Sequence, residues 1–313
     1  MKGNSKIKRG FVRKPQSTVY NVRENTILMD FLMKVMNGTS RTRVKSLLVH
    51  RMVSVDNNVV TQYNYPLQPG MVVSVSKMGD LHPFHSPWVD MEYEDRHIII
   101  VNKHPDVLTV GTAKQRNTVQ VILNSYLEQK KRGFHVHLIH RLDKATSGLL
   151  IFAKDIPTQQ EFVQNWQQII TDRRYVAVVE GEISTEGGTV HSWLTDHNTH
   201  VTSSPVDDGG KEAITHYHVL QRGNGYTMIE LKLQTGRKNQ IRVHMQTLGH
   251  PIAGDTVYGA KTDPIHRLAL HAFRICFYHP ATTQLMNFET PVPQEFTALL
   301  QPATSRNNVQ HPE

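Results

Sequence analysis

Cysteine is almost absent from this chain, and long apolar runs are missing altogether. The single cysteine among 313 residues, Cys276, excludes an internal disulfide, a cysteine-rich zinc site and an iron–sulfur cluster. Such usage is typical of a reducing cytoplasm. No apolar stretch has the length of a membrane-spanning helix, and the N-terminus lacks the apolar core of a secretory signal. These absences predict a soluble cytoplasmic protein.

The patterns that indicate a metal or an organic cofactor are missing as well. Among 19 histidines, His135, His137 and His140 alternate along the chain, but no cysteine or carboxylate stands at ligand spacing beside them. We find no glycine-rich phosphate loop and no internal repeat. We therefore expect neither a metal site nor a cofactor.

Positive charge is in excess, with a formal net charge of +8. A surplus of this sign is expected of a protein that binds phosphate backbones. Residues 1–16 contain no acid and predict a disordered tail that either lies on RNA or is simply solvated. The basic residues of this tail are Lys2, Lys6, Lys8, Arg9, Arg13 and Lys14.

Residues 17–77 have the pattern of a small separate domain. Apolar spacing predicts a first helix, with Thr26 as its N-cap and Gly38 at its end. Ser40 is placed to cap a second helix, and short strands with turns follow as far as Val75. The second helix carries the basic residues Arg41, Arg43 and Lys45.

A second, larger domain is predicted over residues 91–300. Residues 78–90 have neither a helical nor a strand period and indicate a linker, and residues 301–313 indicate a flexible tail. A helix is predicted to begin at Pro157 and to reach Ile170, with its apolar residues on one face. Strands are predicted at residues 98–101, 175–179, 213–220 and 226–233. The pattern predicts an α+β fold with a mixed, mainly antiparallel sheet.

The most informative segment is the loop that begins at His140. It reads His-Arg-Leu-Asp-Lys-Ala-Thr-Ser-Gly and leads into an apolar run with the composition of a strand buried on both faces. The carboxylate of Asp143 and the guanidinium of Arg141 therefore lie on a polar loop anchored by a core strand. Active-site groups are commonly positioned in this way.

This loop, His-Arg-Leu-Asp-x-x-Thr-Ser-Gly, resembles the signature of the RluA-type pseudouridine synthases, which isomerise uridine within structured RNA. The segment 235–244, the loop 248–259 and the segment 268–272 are similar to further blocks of that family. Residues 17–77 resemble an S-four-type RNA-binding module. The resemblance implies a pseudouridine synthase fold with this module at its N-terminal side.

The resemblance also implies an aspartate-dependent reaction. Formation of pseudouridine breaks the C1′–N1 bond of uridine, turns the freed uracil and rejoins it through C5. The reaction is redox-neutral and needs no cofactor. The invariant aspartate of the family maps onto Asp143, which either attacks C1′ or removes the C2′ proton toward a glycal.

Two further catalytic residues are implied. The family arginine that pairs with the aspartate maps onto Arg242, which lies off the core face of a predicted helix. The family tyrosine, a base or relay for the C5 proton, maps onto Tyr175 at the head of a strand. Asn239 stands where the family usually has histidine, and it can still hydrogen-bond RNA.

Substrate contacts are implied by the same motifs. Arg141 resembles the arginine that replaces the flipped-out uridine, and Leu270 is the candidate apolar platform beneath the uracil. His140, Thr146 and Arg237 are expected to contact the substrate. The basic helix would contact the RNA backbone through Arg41, Arg43 and Lys45.

The target of the reaction stays open between 23S ribosomal RNA, the first choice, and transfer RNA. A non-catalytic RNA-binding or ribosome-assembly factor would keep the basic patches but would not require Asp143, Tyr175 and Arg242 together. A protein-kinase loop does not fit, because there Asp directly follows Arg. We expect a monomer that acts on the precursor of the large ribosomal subunit and binds no membrane.

Overall fold

The structure, a computed structural model, describes residues 17–49, 52–56, 58–76, 84–112, 115, 117–130, 132–197 and 200–302. The predicted basic tail at 1–16, residues 78–83 of the predicted linker and residues 303–313 of the predicted C-terminal tail lie outside the described residues. The chain divides into two compact units, Met1–His85 with Leu123–His135, and Ser86–Ile122 with Val136–Glu313.

Residues 17–76 of the first unit form two helices and short strands, as the sequence predicts. Its elements are β1 (Ser17–Asn21), β2 (Thr26–Ile27), α1 (Leu28–Val35), α2 (Arg41–Val49), β3 (Val53–Val55), β4 (Asn58–Val59), β5 (Pro66–Leu67) and β6 (Val72–Ser76). Strands in the order β1-β6-β3-β4 form one sheet, and β2 pairs with β5. Buried side chains of the helices and the sheet form the core of this unit, among them Leu28, Leu32, Val44, Val53 and Val73.

Of the two predicted helix caps, one is confirmed by the structure and the other is wrong. The Oγ of Ser40 accepts a hydrogen bond from the backbone N–H of Arg43 at 3.2 Å, which confirms it as the cap of α2. The prediction for Thr26 is wrong, because Thr26 pairs with Leu67 in the β2–β5 ladder and Ile27 occupies the N-cap position of α1.

The second unit begins at Ser86, and α3 crosses from it into the first. Its elements are β7 (Val89–Glu94), β8 (Ile98–Lys103), α3 (Val119–Lys130), β9 (His137–Leu138), β10 (Ser147–Ala153), α4 (Ile156–Gln164), α5 (Trp166–Ile169), β11 (Ile170–Glu180), β12 (Gly187–Asp196), β13 (Val201–Ser204), β14 (Lys211–Gly223), β15 (Tyr226–Leu233), α6 (Gln240–Thr247), a 3₁₀ turn (Thr256–Tyr258), β16 (Leu270–Tyr278), β17 (Leu285–Glu289) and α7 (Gln294–Leu299). No helix in the described ranges is long and apolar enough to cross a membrane.

Within the described residues, eleven strands of the second unit form one mixed sheet. Nine of them follow the order β13-β12-β14-β15-β11-β16-β10-β8-β7, while β17 pairs with β16 and β9 with β10. The β10–β16 pair is parallel and the other pairs are antiparallel. This arrangement confirms the predicted α+β class with a mainly antiparallel sheet.

Two predicted boundaries are wrong. The helix expected to run from Pro157 to Ile170 ends at Gln164, because the chain leaves helical geometry at Asn165 before the short helix α5, and Ile170 already begins β11. Strand β7 begins at Val89, inside the predicted linker. Short helices and edge strands have too few residues to show a clear period.

The parallel pairing of β10 with β16 places the loop that carries Asp143 beside the start of β16. Ser147 pairs with His271 and Gly148 with Ala272. Gly148 has a φ of +119°, and a Cβ there would collide with the backbone of Ala272. The last residue of the loop motif therefore has to be glycine for these two strands to meet.

Substitution of Gly148 by alanine should destabilise the second unit more than Gly225→Ala does. Both glycines have a positive φ, but nothing lies within 4 Å of the Cβ position at Gly225. We expect a loss in the free energy of unfolding of about 1 kcal/mol for Gly225→Ala and about 3 kcal/mol for Gly148→Ala. Urea denaturation measures both values, and equal losses would contradict a steric role for Gly148.

Candidate active site

One cavity of the second unit collects residues from four separate segments of the chain. Its volume of about 190 Å³ far exceeds the roughly 10–15 Å³ that a single water needs. The walls come from the loop before β10, from β11, from the segment that leads into α6 and from the start of β16. Seven of the lining residues were predicted to be catalytic or to contact the substrate, namely Arg141, Asp143, Thr146, Tyr175, Arg237, Arg242 and Leu270. Asn239, which was expected to hydrogen-bond RNA, lines the cavity as well.

The backbone on both sides of Asp143 is held by buried side chains. The hydroxyl of Thr109 donates to the carbonyl of Leu142 at 2.8 Å and accepts from its N–H at 3.2 Å. The ammonium of Lys103 donates to the carbonyl of Lys144 at 2.9 Å and to two further main-chain carbonyls. These bonds hold the backbone on both sides of Asp143, and neither supporting side chain was identified in the sequence.

The Asp143 carboxylate is half-buried beside several cations. Burial raises the pKa of Asp143, whereas the positive charges of Arg242, Arg141 and Lys103 oppose that rise, and the charge of Asp255 adds to it. In the described part of the chain, no side chain donates a hydrogen bond to this carboxylate or forms an ion pair with it. Its oxygens are therefore available to a substrate.

Arg242 does not form the predicted ion pair with Asp143. Its Nε and Nη2 each donate to a carboxylate oxygen of Asp255 at 2.7 Å, and its Nη1 donates to the Oδ1 of Asn239 at 3.2 Å. The bidentate geometry satisfies two donors at once and directs the guanidinium to Asp255. Arg242 still lines the cavity and acts on Asp143 through its charge.

Asn239, expected to be free for RNA, is used inside the protein. Its amide nitrogen donates to the hydroxyl of Tyr258 at 3.0 Å, while its oxygen accepts from Arg242. The residue has a φ of +54°, which asparagine tolerates better than most residues. Its role in the site is therefore to orient Arg242.

Tyr175 on β11 and Leu270 at the start of β16 form the apolar part of the cavity. Both are almost fully buried. Burial raises the pKa of Tyr175; the charge of Arg173 opposes that rise and the charge of Asp143 adds to it. The phenol therefore stays protonated at neutral pH. An apolar side chain beside a phenol suits the ring of a heterocyclic base.

Three substrate-contact predictions can be compared with the structure. Thr146 is buried in the cavity wall, and Arg237 is exposed there, with its Nε donating to the carbonyl of Glu212 at 2.9 Å. His140 does not line the cavity. Its Nε2 accepts from the N–H of Ile151 at 3.1 Å and its ring packs on Trp166. Burial lowers the pKa of His140 to about 3, so we correct its expected role to a structural one.

Comparison with known proteins identifies the family. A model for RNA pseudouridylate synthases matches residues 97–247. The chain is 35% identical over 280 residues to the uncharacterized RNA pseudouridine synthase YlyB of Bacillus subtilis. The match covers 87% of this chain and 92% of that protein. This chain belongs to the RNA pseudouridine synthase family. The protein is therefore an enzyme, an isomerase that acts on RNA.

Further relatives support the family and the fold. Ribosomal large subunit pseudouridine synthase D of Escherichia coli K12 is 34% identical over 281 residues, 84% of this chain and 86% of that protein. The solved structure of human RNA pseudouridylate synthase domain containing 1 matches with a TM-score of 0.54 and 27% identity over 67% of this chain and 86% of that one. Human RNA pseudouridylate synthase domain containing 4 shares the fold, with a TM-score of 0.56, 22% identity and 67% and 91% coverage.

The structure adds residues to the site of this synthase that the sequence analysis missed. Arg173 lines the cavity and donates to the carbonyl of Thr235 at 3.3 Å. The buried amide of Gln240 accepts from the N–H of Arg237 at 2.9 Å and from the hydroxyl of Thr235 at 2.8 Å. Asp255 belongs to a family block, and this was the only signal in the sequence that pointed to it.

Replacement of Arg242 by methionine should raise the pKa of Asp143, because it removes the largest charge that opposes the effect of burial. If turnover needs an ionised Asp143, the acid limb of the pH–rate profile should move to higher pH by about one unit or more. Tritium release from RNA that contains 5-³H-uridine measures the profile. Arg274→Met, outside the cavity lining, is the control, and an unchanged Arg242→Met profile would contradict the prediction.

Proposed function

We propose that this synthase isomerises specific uridines of large-subunit ribosomal RNA and that Asp143 is the reacting carboxylate. The observation that carries the proposal is a carboxylate with no hydrogen-bond partner in the described structure, on the wall of a cavity that Arg141, Arg173 and Arg242 also line. A negative charge held among fixed cations suits a reaction at the anomeric carbon of a nucleoside.

In the proposed reaction, Asp143 either attacks C1′ or removes the C2′ proton to give a glycal, and the C1′–N1 bond breaks. The departing uracil carries the electron pair of that bond as an anion. The guanidinium groups of Arg173 and Arg242 stabilise this developing charge in a partly desolvated cavity. The uracil then turns and C5 bonds to C1′, as the ester bond between Asp143 and C1′ breaks in the first route or as Asp143 returns the proton to C2′ in the glycal route.

The final step removes the proton from C5. Tyr175 is protonated at neutral pH because its pKa is raised, so it acts as a relay that accepts the C5 proton as it passes its own hydroxyl proton toward N1 of the same uracil. Leu270 supports the uracil ring from below. Arg141, exposed at the rim of the cavity, occupies the space that the flipped-out uridine leaves.

The choice of target rests on the relatives. Synthases of the ribosomal large subunit from several bacteria are 33–34% identical over most of this chain. We propose that the substrate is the large-subunit precursor in the cytoplasm and that the enzyme acts as a monomer. Transfer RNA is the alternative target. Pseudouridine mapping in total RNA from cells with and without the gene decides between them, because loss of signal in transfer RNA alone would overturn the ribosomal assignment.

Substitution of Asp143 by asparagine keeps the size of the side chain and removes its charge. We expect an unchanged fold and RNA affinity, with turnover reduced by about a thousandfold or more. Tritium release under single-turnover conditions is the measurement, and Asp90→Asn, outside the cavity lining, is the matched control. An Asp143→Asn enzyme that keeps a tenth of wild-type turnover would overturn the catalytic assignment.

We also propose that residues 17–77 are an RNA-binding module and that residues 91–300 catalyse the reaction. The charged residues Arg41, Arg43 and Lys45 are exposed on α2. Each phosphate that the protein neutralises contributes about 0.7–0.9 to the slope of log affinity against log salt concentration. The change in slope therefore reports how many phosphates these three side chains neutralise.

The triple substitution of Arg41, Arg43 and Lys45 by glutamine should weaken RNA binding and reduce the salt slope by about two to three. Turnover at saturating RNA should stay unchanged, since none of the three residues lines the cavity. Lys34→Gln, on the exposed surface of α1 beside Glu24, is the single-charge comparison. Equal slopes for the triple variant and the wild type would refute the proposed module.

A further inference from the structure

Asp255 is a buried carboxylate that the proposed reaction does not use. Its side chain is 1% exposed, and both of its oxygens accept hydrogen bonds from Arg242 at 2.7 Å. Its own backbone holds the loop together, since its carbonyl accepts from the N–H groups of Tyr258 and Ala260. Burial of an unpaired carboxylate would cost free energy, and the pair with Arg242 offsets that cost. The question is what this buried pair does for the enzyme.

The guanidinium of Arg242 is fixed on three sides. A guanidinium has five N–H donors, of which two go to Asp255 and one to Asn239. The ring of Tyr258 packs against its face at 4.7 Å. The hydroxyl of Tyr258 is itself held, because it accepts from the N–H of Val201 and the amide of Asn239, both at 3.0 Å.

Two donors of Arg242 remain unpaired. One N–H on Nη1 and one on Nη2 have no partner among the described residues, and Arg242 is part of the cavity wall. The charged N–H donors of a guanidinium bind carboxylate and carbonyl oxygens. The clamp formed by Asp255, Asn239 and Tyr258 thus holds a guanidinium that still has two donors for acceptors in the cavity.

We propose that Asp255 is a positioning residue for the isomerisation, which holds the Arg242 guanidinium so that its two unpaired N–H groups serve Asp143 and the departing uracil. The inference rests on the proposed catalytic role of Asp143. It assigns Asp255 a function through Arg242 and no contact with the substrate. Loss of the clamp should therefore reduce turnover and leave RNA affinity almost unchanged.

The direction in which the acid limb of the pH–rate profile moves distinguishes the positioning of Arg242 from a direct effect of the charge of Asp255 on Asp143. The groups that act on Asp143 are Arg141 on its own loop, Lys103 on β8, Arg242 on α6 and Asp255. Arg173 and Tyr175 on β11 line the same cavity. The charge of Asp255 by itself raises the pKa of Asp143, so its removal alone would move the acid limb to lower pH. Displacement of Arg242 would move the limb to higher pH.

The experiment compares Asp255→Asn with the wild type in the full-length enzyme. We expect kcat to fall by about tenfold to a hundredfold, the KM for RNA to change less than twofold, and the acid limb to move to higher pH. Asp172→Asn is the matched control, because Asp172 is a largely buried partner of Arg174 outside the cavity lining. An acid limb that moves to lower pH, or an unchanged kcat, would overturn the proposal.

A second variant keeps the test decisive if Asp255→Asn does not fold. Asn239→Gly removes one arm of the clamp, and glycine accepts the φ of +54° at that position. The acid limb should move in the same direction by a smaller amount, and an unmoved limb would overturn the clamp. In an Arg242→Met background, Asp255→Asn should cause no further loss of kcat, whereas an additive loss would show that Asp255 does not act through Arg242.

Failure of the positioning role is distinguishable from failure of the proposed function. If Asp143→Asn is inactive while Asp255→Asn behaves as wild type, the catalytic assignment stands and the positioning role falls. If Asp143→Asn is active, the catalytic assignment itself falls. Both variants are measured with the same tritium-release assay and the same RNA.

Discussion

The chemistry that we propose for this cavity depends on keeping the Asp143 carboxylate ionised where it is partly removed from water. Burial favours the neutral acid, and the pKa of Asp143 is raised accordingly. Cations supplied by Arg141, Arg242 and Lys103 oppose this effect from three parts of the chain. Hydrogen bonds hold two of these side chains in place: Arg242 is bound by Asp255 and Asn239, and Lys103 is bound by three main-chain carbonyls.

Lys103 shows how support and electrostatics are combined. Its ammonium is completely buried and donates to three main-chain carbonyls, one of them that of Lys144 next to Asp143. Burial lowers the pKa of Lys103 to about 7. The same side chain therefore holds the backbone of the Asp143 loop by a hydrogen bond and adds positive charge beside it when protonated.

The sheet brings the parts of the site together. The β10–β16 pair places the loop of Asp143 next to Leu270, and antiparallel pairing of β11 with β16 places Tyr175 nearby. Glycine at position 148 permits the close approach of β10 and β16. On the far side of the cavity, the Arg242–Asp255 pair ties α6 to the loop before β16.

Much of this protein was readable from local patterns in its sequence. Strand β15 has the bounds that its alternating apolar and polar residues predict. The fold class follows from the periodicity of the apolar residues, and the family follows from the loop motif that contains Asp143. Residues of four separate motifs were expected to meet, and seven of them line one cavity. These features depend on side-chain spacing and backbone type, which a sequence displays directly.

The hydrogen-bond partners were decided only by the tertiary structure. Arg242 pairs with Asp255 and not with Asp143, and His140 packs against Trp166 away from the cavity. Thr109 holds the loop that carries Asp143. A side chain with several compatible partners chooses among them by distance and burial, and both are set by how distant segments pack. The sequence determined which chemical groups this enzyme has, and the fold decided which of them touch.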